Sequence, residues 1–326
     1  MANYLLTGTA GFIAFRVAEL LLESGHHVYG VDNLCDAYDI RLKDYRLKRL
    51  SAQPHFHFLK ADISARETIA ALQAWLPAEV DGVINLAARA GVRTSLTDPW
   101  VYVDTNMTGT LNLLELCRQY PIRKFILAST SSLYAEESEP PFSEADDTNH
   151  PLQPYAASKK GAEAMAHAYH HLYDLDVTVL RYFTVYGPAG RPDMVMFRFC
   201  QWIAESKPVV VNGDGEQSRG FTYLDDIARG TIQALKPLGY EVINLGGHEV
   251  ITINHLIRML EARIGKAAHI SYQPFHRADV HTNQADVTRA KALLGWEPQV
   301  DLEEGITHLV NWYMAEREWA SQVDTP

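Results

Sequence analysis

Tyr155 and Lys159 stand four residues apart in Pro154-Tyr155-Ala156-Ala157-Ser158-Lys159, behind a proline suited to open a helix. On a helix that spacing puts both side chains on one face. An ammonium beside a phenol favours the phenolate, so the tyrosine can act as a general base near neutral pH. A solvated Tyr–Lys pair is also common on helices, so the reading needs further elements. One is Ser129-Thr130-Ser131-Ser132-Leu133-Tyr134, after the apolar stretch Phe125 to Ala128. A hydroxyl at the end of a parallel strand lies where such sheets bind ligands and can bond a substrate alcohol. It reads equally as a polar entry to a loop.

The third element is Thr7-Gly8-Thr9-Ala10-Gly11-Phe12-Ile13-Ala14, between a strand-like start and a helix-period segment. Gly8 permits a tight turn, Gly11 lets backbone N–H groups approach a pyrophosphate, and Ala14 is small enough for close helix–strand packing. Asp32 ends the next strand, 24 residues beyond Gly8, placed to accept from ribose hydroxyls. Such a carboxylate favours NAD over NADP. The alternative is a structural turn with an acidic strand end.

These residues need a scaffold. Asn3 to Thr7, His27 to Asp32, Phe56 to Asp62, Gly82 to Ala87, Lys124 to Ser129 and Val177 to Arg181 read as strands separated by helical segments. That alternation predicts an α/β, Rossmann-type, doubly wound parallel sheet. Past about Pro188 the pattern loosens, with short strands Val209-Val210-Val211 and Val242-Ile243-Asn244 among helices such as Ile253 to Ile264. We expect residues 1–180 to form the dinucleotide-binding domain, and 181–326 a smaller mixed α/β C-terminal substrate lobe, interleaved with the first.

Of 326 residues, 47% are hydrophobic and 21% charged, which supports a sizeable core. The net charge of −11 disfavours nucleic acid or an anionic membrane as partner. Cys35, Cys117 and Cys200 form no paired spacing, so reduced thiols in the cytoplasm are expected and a metal site is not. Neither a secretion signal nor an apolar run of about 18 residues is evident.

The three elements together resemble the extended short-chain dehydrogenase/reductase family of nucleotide-sugar epimerases and dehydratases. The likeness spans nearly the whole chain: TGTAGFIA at Thr7, Asp32-Asn33-Leu34, Asn85-Leu86-Ala87-Ala88, STSSLY at Ser129, YAASK at Tyr155, LRYFTVYGPAGRPDM at Leu180, SRGFTYLDDIARG at Ser218 and ADVHTNQAD at Ala278. Phe183 to Pro188, Gly190 to Met194 and Tyr38 to Lys43 are most similar to the UDP-glucuronate 4-epimerases.

The resemblance implies Thr130, Tyr155 and Lys159 as the catalytic set. For NAD it implies Gly8, Gly11, Phe12, Ile13, Asp32, Asn33, Asp62, Ile63, Leu86, Ala87 and Lys159, with Asp62 near the adenine. It places Ser131, Ser132 and Thr184 near the sugar, and Arg191, Arg219 and the candidate Arg277 on the nucleotide. It also implies a homodimer built through a four-helix bundle. Ala14 and Ala135 replace glycines usual in the family, and Gly220 replaces an aspartate. Dehydratases carry Asp-Glu where Ser131 and Ser132 stand, and hydroxyls cannot do carboxylate proton transfer at neutral pH. The expected reaction is therefore 4-epimerisation of a UDP-sugar, UDP-glucuronate first. The alternatives are a UDP-glucose/galactose 4-epimerase, another nucleotide-sugar epimerase or dehydratase, or a non-catalytic NAD-binding regulator.

Asp32 generates the first prediction. NAD should bind much more tightly than NADP, because a carboxylate facing a 2′-phosphate is repelled and desolvated. Titration of both cofactors at matched salt checks this, and comparable affinities would contradict it.

Overall fold

The structure, a computed structural model, describes residues 1–134, 139–274 and 282–325. Among these, seven strands form one parallel sheet: β1 (Asn3–Thr7), β2 (His27–Asp32), β3 (Phe56–Lys60), β4 (Gly82–Asn85), β5 (Lys124–Thr130), β6 (Asp176–Tyr182) and, from later in the chain, Tyr240–Leu245. The remaining strands are β7 (Thr184–Tyr186), β8 (Pro208–Asn212), β9 (Ser218–Tyr223), β11 (Glu249–Thr252) and β12 (His269–Gln273), Tyr240–Leu245 being β10. The main sheet runs β10-β6-β5-β4-β1-β2-β3. Its order reverses direction between β1 and β4, and a doubly wound sheet opens its ligand crevice at that point, beyond the strands' carboxyl ends.

Strands covered on both faces need continuous apolar runs rather than alternation, and every residue of β5 is buried. One face of the sheet packs on helices Phe12–Glu23, Leu224–Gln233 and Thr288–Leu294. Helices Thr68–Trp75, Gly109–Gln119 and Pro154–Tyr173 cover the other. A further core lies under helices Val195–Ala204, Ile253–Ile264 and Leu302–Ala315, beside the small sheets β11-β9-β7 and β12-β8. The sequence pattern grouped Val242-Ile243-Asn244 with the later, looser region. The strand instead pairs in parallel with β6, Val242 opposite Val179, as the last strand of the main sheet. Three apolar residues carry no mark of which sheet they will join; the partner is chosen by packing. No helix among the described residues is long and apolar enough to cross a membrane.

Helix Pro154–Tyr173 is fixed to the sheet by a buried ion pair. Arg181 on β6 grips Glu163 through Nε–Oε1 (3.0 Å) and Nη2–Oε2 (2.8 Å), and Ser129 Oγ donates to Glu163 at 2.6 Å. Both charged residues are at most 4% exposed. Glu163→Gln leaves the guanidinium buried without its carboxylate, so we expect a loss of about 3–5 kcal/mol in urea denaturation. A loss below about 1 kcal/mol, the range of a surface pair, would contradict this.

Candidate active site

β1 ends at Thr7, and the chain turns on Gly8 with φ of 70°. Its N–H bonds Val31 O at 2.7 Å. A Cβ there would sit 2.8 Å from the Ala87 backbone, and one on Gly11 would sit 2.7 Å from Gly8 O. Both positions need glycine because backbone passes against backbone. Helix Phe12–Glu23 starts directly after Gly11, and helix geometry leaves its first N–H groups without intrahelical acceptors. Ala14 is buried, so alanine takes the small-residue position without opening the packing. Asp32, 6% exposed, accepts from Ala10 N (3.1 Å), Leu34 N (2.8 Å) and Lys43 Nζ (3.3 Å). Burial works against the Lys43 charge, but Asp32 beside it holds the ammonium above its ordinary pKa. Asp62 accepts from Asn33 Nδ2 (2.9 Å) and from Ser64 N and Oγ. Burial opposes its charge, and those bonds from Ser64 and Asn33 hold the carboxyl below its usual range. Ile63, Leu86 and Ala87 complete this apolar-walled end.

Thr130 is the last residue of β5, and its Oγ1 accepts from Ser132 N at 3.1 Å. Tyr155, second residue of its helix, lines the cavity with Thr130, whose hydroxyl acts to lower the phenol pKa, and lies edge-on to Tyr102, ring centroids 6.0 Å apart. Lys159 is 4% exposed, and its Nζ donates to Ala128 O at 3.0 Å. Burial lowers its pKa to about 8, against the pull of Glu163. The sequence suggested that Lys159 would draw the tyrosine pKa down. In the structure burial raises the Tyr155 pKa, and the groups that counter it are the Thr130 hydroxyl and the Arg191 charge. Lys159 is not among those groups.

Ser131 and Ser132 open the short turn Ser131–Leu133, and Thr184 begins β7. Arg191 pairs with Asp193 (Nε–Oδ1 3.0 Å, Nη2–Oδ2 2.5 Å), and Arg219 on β9 donates to Ser218 O at 2.7 Å. Every site residue singled out from the sequence, apart from Arg277, lines one cavity of about 1090 Å³. Arg277 and Ala135 lie outside the described residues. Gly220 has a backbone reason to replace a larger residue: a Cβ there would sit 2.4 Å from Gly247 O and 2.6 Å from Asn283 O.

Other residues at or behind the cavity wall escaped sequence reasoning. Lys43 lay in a quoted stretch, but its pairing with Asp32 could not be read from spacing. Asn106 holds the 87–93 segment, accepting from Arg89 N and donating to Arg89 O and to Ser158 Oγ. It sits in the π-helical turn Val103–Thr108, which leaves no periodic trace in sequence. Asn283 Nδ2 lies 3.3 Å from Ser131 Oγ.

One cavity thus gathers a glycine turn, a buried carboxylate, uncharged hydroxyls, arginines and a phenol beside a threonine. The whole chain is similar to known proteins. The family model described as GDP-mannose 4,6 dehydratase matches residues 5–309. A UDP-glucuronate 4-epimerase of Thermodesulfobacterium geofontis (strain OPF15) is 56% identical over 313 residues, covering 96% of each chain. The crystal structure of a UDP-glucuronic acid 4-epimerase from Bacillus cereus, with UDP-glucuronic acid and NAD, is similar with a TM-score of 0.90 at 38% identity, covering 96% of this chain and 99% of that one. A UDP-glucose 4-epimerase from Thermotoga maritima with UDP-glucose gives a TM-score of 0.89 at 33% identity, covering 97% and 99%. With the family model matched over nearly its whole length, the chain belongs to the GDP-mannose 4,6 dehydratase family of extended short-chain dehydrogenases/reductases.

Proposed function

We propose that this protein is an NAD-dependent UDP-glucuronate 4-epimerase, interconverting UDP-glucuronate and UDP-galacturonate. The observation that carries the reading is the Thr130–Tyr155 pair between a dinucleotide turn and a pocket lined by Ser131, Ser132 and Thr184, with no carboxylate at 131 or 132. The family takes its name from a dehydratase, but removing water calls for proton-transfer groups that serine hydroxyls do not supply. The 56% identical relative supports the same choice.

The cofactor end fits NAD. Gly8 and Gly11 bring the turn's backbone close without side chains, and Asp32 lines the same cavity as a buried acceptor. Gly8, Gly11, Phe12 and Ile13 would hold the pyrophosphate, Asp32 and Asn33 the adenosine ribose, Asp62 and Ile63 the adenine surroundings, and Leu86, Ala87 and Lys159 the remainder. When bound, NAD supplies a reversible hydride acceptor for C4 of the sugar. The chain's own part is proton handling and positioning. Tyr155 removes the C4 hydroxyl proton, with Thr130 bridging, and later returns a proton to that oxygen. Arg191 and Arg219 hold the nucleotide diphosphate and base while the sugar turns over. A uronate oxidised at C4 is a β-keto acid prone to lose carbon dioxide, and the neutral donors Ser131, Ser132 and Thr184 hold its carboxylate out of alignment for that loss.

The proposed assembly is a homodimer through helices Gly109–Gln119 and Pro154–Tyr173, whose neighbourhood leaves Trp100, Leu172 and Tyr173 exposed. The proposed compartment is the cytoplasm, where the free thiols of Cys35, Cys117 and Cys200 stay reduced.

Incubation with UDP-glucuronate, followed by NMR, should give an equilibrium mixture of the two uronates. A pentose product would mean decarboxylation. No reaction, alongside brisk conversion of UDP-glucose to UDP-galactose, would keep the chemistry and overturn the substrate. Tyr155→Phe keeps the ring and removes the base, so turnover should fall at least about a hundredfold. NAD binding should survive, and near-normal turnover would refute the assignment of the base.

A further inference from the structure

The Tyr38–Lys43 stretch belongs to the segment leading into helix Ile40–Ser51, and the reaction scheme gives that helix no task beyond the Lys43–Asp32 pair. Its buried face also carries Arg46, whose side chain is fully enclosed. A buried guanidinium is costly unless its donors are satisfied. Among the described residues the partners of Arg46 are all neutral. Nη1 donates to Ala10 O (2.9 Å) and to the Tyr38 hydroxyl (2.7 Å). Nε and Nη2 both donate to Ala189 O (3.2 and 2.6 Å), and Nη2 also reaches Gly190 O (3.3 Å). The aromatic faces of Phe12 and Tyr38 lie 5.9 and 5.6 Å from the guanidinium carbon.

These acceptors belong to the two halves of the site. Ala10 is the centre of the phosphate-binding turn. Its N–H is held by Asp32, its carbonyl by Arg46, and the next N–H, of Gly11, by Gly8 O. On the other side, Ala189 has φ of 52°, a left-handed conformation that alanine adopts reluctantly. Arg46 bonds that residue's carbonyl twice, and Arg191 follows two positions later. The planar, five-donor fork of arginine can meet both segments at once; a lysine ammonium cannot reproduce that geometry.

We infer that Arg46 is a positioning residue that couples the two subsites: one guanidinium seats the phosphate-binding turn for the dinucleotide and holds the Ala189–Gly190 turn that aims Arg191 at the nucleotide diphosphate. This rests on the reading of Arg191 as a diphosphate contact. It accounts for a buried cation with no carboxylate, and for a strained alanine at the entrance to a substrate segment.

Arg46→Lys keeps the charge and loses the fork. UDP affinity of the NAD-saturated enzyme, measured by calorimetry, should fall roughly tenfold, as expected for lost charge-assisted hydrogen bonds. NAD affinity should fall with it. With both ligands saturating, kcat should stay within about threefold of wild type, because Tyr155, Thr130 and Lys159 are untouched. The deciding readout is a double-mutant cycle with Arg191→Ala. If Arg46 acts through Arg191, the UDP penalty of Arg46→Lys shrinks to near zero in the Arg191→Ala background. Additive penalties, unchanged UDP and NAD affinities, or a fall in kcat at unchanged affinity would each overturn the inference. Arg191→Ala that leaves UDP binding intact would overturn both the inference and the reading beneath it. Arg191→Ala that weakens UDP while Arg46→Lys does not would overturn the inference alone. If Arg46→Lys does not fold, Tyr38→Phe removes one acceptor of the same guanidinium, and its UDP penalty must likewise vanish in the Arg191→Ala background.

Discussion

Three successive turns of helix Pro154–Tyr173 face the last three residues of β5. Tyr155 meets Thr130, Lys159 donates to Ala128 O, and Glu163 accepts from Ser129 Oγ while Arg181 clamps it. The spacing of four places all three side chains on one helix face. A buried strand offers them a fixed row of partners. This ladder sets the register of helix against sheet, and the position of the phenol follows from it. A slip of one residue would turn the face away and leave Glu163 and Arg181 buried without each other, which the low dielectric of the interior penalises heavily.

The same strand end faces the point where the sheet order reverses. There the tight passage of Gly8 against Ala87 and the start of helix Phe12–Glu23 lie at the mouth where such sheets bind dinucleotides. Chemistry and cofactor are thus brought together by topology rather than by local sequence. What lies on the far side of the cavity then decides the outcome. Hydroxyls at Ser131, Ser132 and Thr184 can hold a carboxylate without protonating or deprotonating carbon, which suits reversible oxidation at one position and disfavours elimination. Asp32 is less isolated than its place in the sequence implied. Lys43 at 3.3 Å offsets part of its charge, so discrimination against a 2′-phosphate also depends on how tightly Ala10 N and Leu34 N hold the carboxylate.

Much of the site was readable because each part is encoded locally. A glycine turn between strand and helix, an acid at a strand end and a Tyr–Lys pair at helical spacing announce themselves within a few residues. The main strands were legible for the same reason: β1 and β2 are short apolar runs bounded by turn residues. What stayed hidden depends on contacts distant in sequence. β10 joins β6 across more than fifty residues. Arg46 reaches Ala189 across 143 positions, and Asn283 reaches Ser131 across 152. Asn106, in the π-helical turn, is bonded to Arg89 and Ser158, 17 and 52 positions away. Spacing shows that Lys159 shares a face with Tyr155, but not how deeply the phenol is buried, and burial is what raises its pKa.

The central claim is that a single hydrogen leaves C4 of the sugar and returns to C4 without meeting solvent. The most direct measurement uses UDP-glucuronate deuterated at C4, run to equilibrium in ordinary water and read by NMR and mass spectrometry. The account predicts that both uronates keep the deuterium at C4. Loss of the label to water, or its appearance at any other carbon, would mean that carbon is deprotonated, and would contradict transient oxidation by this site.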